Sequence, residues 1–194
     1  MARIPYPDLA KASPEVREML GRLPASANIF NMLAHAETCV KPVMKLGGTL
    51  LGKLKLDPKL RELCLLHAVK LEVGEYEWAQ HEPIAVDLGC TQAQVDALAE
   101  SDDEAACFDA KERAALQFVR GIVQDAAGSG GQLAAVREFL SERETVELII
   151  MVGFYTMLAR LTEALGIELD PPIGSALVRG IEQRVAASAR ASEA

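Results

Sequence analysis

The chain is short of the residues that build sheets. Aromatic residues make up 5% of its 194 positions, and no segment alternates apolar and polar residues as a half-buried strand does. Half of the residues are hydrophobic, mostly Ala and Leu, which favours helices. An apolar run of the roughly 20 residues that cross a bilayer is missing. The longest, Leu148 to Ala159, stops short of that length and is expected in a core or a subunit interface. The opening MARIPYPDLAKASPEV lacks the apolar stretch of a signal peptide. Basic residues are outnumbered, 20 Lys and Arg against 28 Asp and Glu, for a net charge of -8. An acidic surface repels phosphate backbones and anionic lipid, so neither nucleic acid nor membrane is an expected partner.

Paired thiols are missing as well. The four cysteines, Cys39, Cys64, Cys90 and Cys107, form no CxxC pair, and no His/Cys spacing suggests zinc. Reduced, structural cysteines in a cytoplasmic protein without a metal or cofactor are the expectation.

Helix-start signals are plentiful. Ser13-Pro14 and Asp57-Pro58 each place a capping oxygen before a proline suited to the first turn. Thr91 with Gln94 and Ser141 with Glu144 read as capping boxes, and Asp109 caps a further helix. Asn28 is expected to cap a helix reaching Gly52, kinked or ended by Pro42. Pro83 is expected to bend the helix from Glu75 to Leu88, with Gly89 closing it. Gly128-Ser129-Gly130-Gly131 reads as a flexible joint, and a last helix is expected over residues 173–185. The sum is a single all-α domain over residues 1–194, a bundle of roughly eight helices.

The chemistry gathers in residues 57–89, which hold two of the three histidines and the only tryptophan. Glu77 and His81 are four apart on a predicted helix and so share a face. A carboxylate beside an imidazole can act as a general acid/base pair. Glu62 lies on the preceding helix, twelve positions before Gly74. An antiparallel turn there would bring it to the pair. The bland alternative is a salt-bridged surface face worth only tenths of a kcal/mol. A metal site from Glu77 and His81 alone has too few ligands. Trp78 and Tyr76 are candidates to line a pocket, with core packing as the alternative. Gln80 either donates to a substrate carboxylate or faces water. His67, on an apolar face, reads as a hydrogen-bonded core residue, and His35 as a partly exposed helical one.

The segment RELCLLHAVKLEVGEYEWAQHEPIAVDLGCTQAQVDAL resembles the carboxymuconolactone decarboxylase family, which shares its fold with alkylhydroperoxidase D-like proteins. The resemblance covers about residues 45–125. The stretch SERETVELIIMVGFYTMLARLTEALGIEL, within a C-terminal helical extension over 132–188, looks like a recurring segment of longer members. In the alkylhydroperoxidase D-like branch a glutamate precedes a CxxC by twelve residues, and a histidine follows the second cysteine by four. By position the glutamate is Glu62 and the histidine is His81, while the cysteines are replaced by Gly74 and Glu77. Peroxide reduction needs a thiolate to attack and a thiol to resolve, which neither residue supplies. The resemblance therefore implies a cofactor-independent acid/base enzyme of the decarboxylase type, decarboxylating or isomerising a small organic acid or lactone. Glu77, His81 and Glu62 would be catalytic, and Trp78, Gln80 and Tyr76 substrate-binding. It also implies a homo-oligomer, trimer or hexamer. The alternatives are an alkylhydroperoxidase-like antioxidant protein that has lost its CxxC and a non-catalytic helical oligomer. Lys53, Lys55, Arg61 and Lys70 are the candidates to seat a substrate carboxylate.

Overall fold

The computed structural model describes residues 1–23, 25–126, 130–173, 178 and 180, and none of these is in a strand. Helix α1 (Pro14–Gly21) begins where the Ser13 hydroxyl accepts the Val16 N–H, with Pro14 in the first turn. The long helix expected from Asn28 is two, α2 (Asn28–Leu33) and α3 (Glu37–Gly52), parted by a 3-10 turn over Ala34–Ala36. Pro42 lies inside α3 and does not end it. Asn28 is not the cap of α2 either. Its N–H donates to Asp170 Oδ2 at 2.6 Å and its side chain to the Glu168 carbonyl at 3.0 Å. A carboxylate from the far end of the chain supplies what a local cap would have supplied.

Helix α4 (Pro58–Leu71) starts on Asp57, whose side chain accepts the Leu60 N–H, and α5 (Glu75–Asp87) continues past Pro83. Capping boxes on Thr91, Asp109 and Ser141 open α6 (Gln92–Ala99), α7 (Ala110–Asp125) and, after α8 (Gly130–Arg137), α9 (Glu142–Leu165). Gly89 and Gly166 take positive φ just past α5 and α9. Residues 127–129 of the expected joint and nearly all of the helix expected over 173–185 lie outside the described residues.

The central helix is α4. Every residue from Arg61 to Val69 is buried, and α5, α6, α7 and α9 all pack against it. Packing on all sides buries the charged Arg61 and Glu62 along with the apolar residues. Helix α9 shows the opposite. By length and composition alone it would cross a membrane. In this fold Leu148, Met151, Val152, Tyr155 and Ala159 are buried, while Val146, Ile149, Ile150 and Met157 are exposed.

Two glycines permit the close approaches that shape the interior. A Cβ on Gly74 would lie 2.7 Å from the Ala159 Cβ, so the first turn of α5 meets α9 only because position 74 has no side chain. The turn before it puts Val73 at φ 58 and closes with Gly74 N–H donating to the Val69 carbonyl at 2.8 Å. On α3, a Cβ on Gly47 would lie 3.3 Å from the Phe154 ring.

Candidate functional site

Helices α4 and α5 form an antiparallel pair about Gly74, and this brings Glu62 to His81. Glu62 Oε2 accepts from His81 Nδ1 at 2.8 Å, and Glu62 Oε1 accepts from Arg61 Nε at 2.9 Å. Arg61 also donates to the Leu51 carbonyl at 2.8 Å. Burial alone would push the Glu62 carboxyl up. The charges and hydrogen bonds of His81 and Arg61 outweigh it and hold the group below its ordinary range. Glu62 is therefore a carboxylate, which makes Nδ1 the protonated nitrogen and leaves Nε2 for a group in the cavity. The edge of the His81 ring meets Tyr155 at 4.8 Å between centroids and 82° between planes.

Glu77 sits one turn earlier on α5 and is 3% exposed. Its Oε2 accepts from the Thr162 hydroxyl at 3.0 Å, while its Oε1 is buried without a partner among the described residues. Burial pushes its carboxyl up to about 7, against the lowering effects of its hydrogen bonds and of His81. Thr162 Oγ1 also lies 3.0 Å from the Ala159 carbonyl and 3.2 Å from the Leu158 carbonyl. Its single proton can serve Glu77 when the carboxylate is ionised. When Glu77 is protonated it can donate to Thr162, which then donates back to α9. The site accommodates both protonation states without moving the backbone.

Glu77 and His81 border a cavity of about 230 Å³ lined also by Phe30, Met44, Gly47, Ile84, Phe154, Tyr155 and Ile173. Tyr76 and Gln80 border it too, but their polar atoms are engaged. The Tyr76 hydroxyl donates to Asp170. Gln80 Nε2 donates to the Asp170 carbonyl at 3.2 Å, and Gln80 Oε1 accepts from Ile173 N–H at 2.9 Å. Both residues pin the segment after α9 across the cavity. Trp78 does not line it. The indole packs among the core side chains, with Lys70 Nζ 6.0 Å from its ring centroid. Lys53, Lys55, Arg61 and Lys70 are absent from the lining as well. The sequence reading missed Tyr155, Phe154 and Thr162, all on the helix read as core and interface. A hydroxyl-bearing aromatic in that greasy run was the available signal.

The other titratable groups stand apart. His67 is fully buried, with neither ring nitrogen hydrogen-bonded among the described residues. Its Nε2 is 3.3 Å from Asp103 Oδ2, which Arg120 Nε holds at 2.7 Å. Burial pushes the His67 imidazole down to about 4, so it is neutral at pH 7. The core position expected of it is right, and Asp103 is its polar neighbour there. His35 is exposed, with Nε2 2.8 Å from the Pro5 carbonyl. Cys64 and Cys90 are buried, and burial raises both thiols, Cys90 to about 12. Neither is a ready thiolate. No cluster of three or more His, Cys, Asp or Glu able to hold a metal occurs among the described residues.

Residues 40–121 match the model of the carboxymuconolactone decarboxylase family. No curated protein matches the chain. Among solved structures it is similar to an uncharacterized peroxidase-related protein with an alkylhydroperoxidase AhpD core from Ralstonia eutropha JMP134. That likeness has a TM-score of 0.75 at 18% identity, over 87% of this chain and 92% of that one. A peroxidase-related protein from Silicibacter sp. TM1040 gives 0.75 at 16% identity, over 87% and 92%. A cysteine-to-alanine variant of the debrominase Bmp8, in complex with 2,3,4-tribromopyrrole, gives 0.69 at 16% identity, over 93% and 96%. These likenesses establish the all-α alkylhydroperoxidase D-like fold.

Proposed function

We propose, for a chain whose residues 40–121 belong to the carboxymuconolactone decarboxylase family, a cofactor-independent acid/base enzyme that moves a proton on a small organic molecule. The observation that carries the reading is Glu77 Oε1, a buried carboxyl oxygen without a partner among the described residues, at the wall of a cavity. An unpaired buried polar atom costs about 1–3 kcal/mol, a cost that a bound substrate group would relieve. Glu77, with its carboxyl near 7, suits a group that both takes and returns a proton at neutral pH.

In the first step ionised Glu77 removes a proton from a carbon next to a substrate carbonyl. The electron pair of that C–H bond moves toward the carbonyl oxygen, giving an enolate. A doubly protonated His81 ring would donate from Nε2 to that oxygen while its Nδ1 stays on the Glu62 carboxylate. In a β,γ-unsaturated substrate the enolate extends over the existing C=C, so Glu77 returns the proton at the γ carbon and the double bond moves from the β,γ to the α,β position. This is the isomerising form of the chemistry; decarboxylation would need a seat for a carboxylate as well. The relatives' peroxidase names do not carry over here, because Gly74 and Glu77 stand where that branch has its two cysteines. A scaffold role fits less well, since His81 borders open space. The protein would work as a homo-oligomer, with exposed Val146, Ile150 and Met157 of α9 in the interface; light scattering that gives a monomer would remove that part.

The test is loss of exchangeable C–H protons into D₂O, followed by NMR over a panel of small lactones and unsaturated ketones. Wild type should exchange at least one of them, and Glu77→Gln should not. Equal exchange by both would overturn the role of Glu77.

A further inference from the structure

The cavity has a definite chemical character. Its volume of about 230 Å³ exceeds the roughly 150 Å³ in which an engineered apolar cavity holds benzene, so a ring with short substituents fits. Its walls are aliphatic and aromatic: Phe30, Met44, Ile84, Phe154 and Ile173. Among the described residues that line it there is no Lys and no Arg. Arg61 is the nearest cation in the network. Its Nε donates to Glu62 and its Nη1 to the Leu51 carbonyl, and Arg61 itself is not among the residues that line the cavity. Gln80, read from the sequence as a donor to a substrate carboxylate, is committed to Asp170 and Ile173, and Tyr76 to Asp170.

Three polar groups remain for a ligand. They are Glu77 Oε1, His81 Nε2 and the Tyr155 hydroxyl, which makes no hydrogen bond among the described residues. One of them belongs to a carboxyl group. An anionic ligand would lose its hydration, meet no Lys or Arg among the described lining residues, and face Glu77 at short range. A neutral ligand avoids all three penalties and gives the apolar walls something to cover.

We infer that the cavity takes an uncharged, ring-sized organic molecule bearing one carbonyl or hydroxyl group, and that it refuses carboxylates. The inference rests on the reading of the Glu77–His81 cavity as the substrate site, and it names the substrate class. A neutral lactone or ketone belongs to it; a carboxylated lactone does not.

Matched pairs decide it: methyl benzoate against benzoate, and phenylacetone against phenylacetate, with the full chain at pH 8. Melting temperature and titration calorimetry are the readouts. At tenfold over the dissociation constant, binding to the folded state raises the midpoint by about 3–6 °C. The ester and the ketone should give such a shift and the two acids none. Ile84→Trp, which fills the cavity, should remove the shift. Glu77→Gln, which keeps the shape and removes the charge, should keep it. Acids that bind as tightly as their neutral partners overturn the inference. So does the absence of any shift with the neutral probes, or a shift that survives in the filled variant. Neutral probes that bind a protein unable to exchange any C–H proton would leave the substrate class standing and sink the proton-transfer reading instead.

Discussion

Glu62 and His81, 19 residues apart, meet at 2.8 Å in the interior of the bundle, and the other oxygen of the same carboxylate holds Arg61 at 2.9 Å. One carboxylate thus neutralises a buried guanidinium and sets the tautomer of an imidazole that borders a cavity.

Removing that charge should be costly. Glu62→Gln leaves Arg61 buried without its counter-charge, a change of the kind that costs about 3–5 kcal/mol. Urea denaturation should show the loss, and proton exchange should fall even at temperatures where the variant stays folded. Because the folded-state pKa of Glu62 is depressed, the stability it contributes is present above the ordinary glutamate range and lost as pH falls through its lower folded value. An acid-unfolding curve of the wild type should therefore fall more steeply than that of Glu62→Gln.

Glu77 should act with the opposite sign. Its folded pKa is raised from 4.5 to about 7, so the folded state holds the proton more tightly than the unfolded chain does. Its own contribution to stability is then greatest below about 4.5 and declines as pH rises to about 7, by about 3 kcal/mol in all. Glu77→Gln removes this decline. The variant should be about as stable as wild type at pH 5 and about 2–3 kcal/mol more stable at pH 8, while inactive. A pair of urea melts at those two pH values checks it.

Thiol chemistry should not be restorable by simple substitution. A Cβ at position 74 would stand 2.7 Å from the Ala159 Cβ, and overpacking of that kind costs about 1–3 kcal/mol. The Gly74→Cys/Glu77→Cys variant should melt lower than wild type, and adding Ala159→Gly should recover most of the loss. Thermal melts of the two variants side by side test the clash directly.

Gln80 should control the cover of the cavity. Gln80→Ala deletes the acceptor of the Ile173 N–H and the donor to the Asp170 carbonyl. The expected cost is about 1–2 kcal/mol, from two partly exposed hydrogen bonds. The diagnostic readout is hydrogen exchange, with the Ile173 amide losing protection while the amides of α4 keep theirs. Unchanged protection at Ile173 would mean that the segment is held by other contacts.

Much of the fold was legible locally. The starts at Ser13-Pro14, Asp57-Pro58, Thr91, Asp109 and Ser141 all stand, because a cap is decided within four residues. Asn28 failed as a cap for the complementary reason: its partners are 140 and 142 residues away. Pro42 did not end its helix, and α3 and α5 both carry on past a proline and its one missing amide. The pairing of Glu77 with His81 on one face followed from helical spacing, and the replacement of both cysteines was plain from the residues themselves.

By itself, then, the sequence determined an all-helical chain and the glycine and glutamate, Gly74 and Glu77, that stand in place of a thiol pair. These depend on short-range spacing and on residue identity. Tertiary structure alone decided that Glu62 reaches His81, that Thr162 and not a cation faces Glu77, and that Tyr76 and Gln80 bind the chain rather than a ligand. Each depends on contacts between residues that are far apart in sequence, and on which polar atoms are left over once the packing is complete. Those leftover atoms, Glu77 Oε1 foremost, define what the cavity can take.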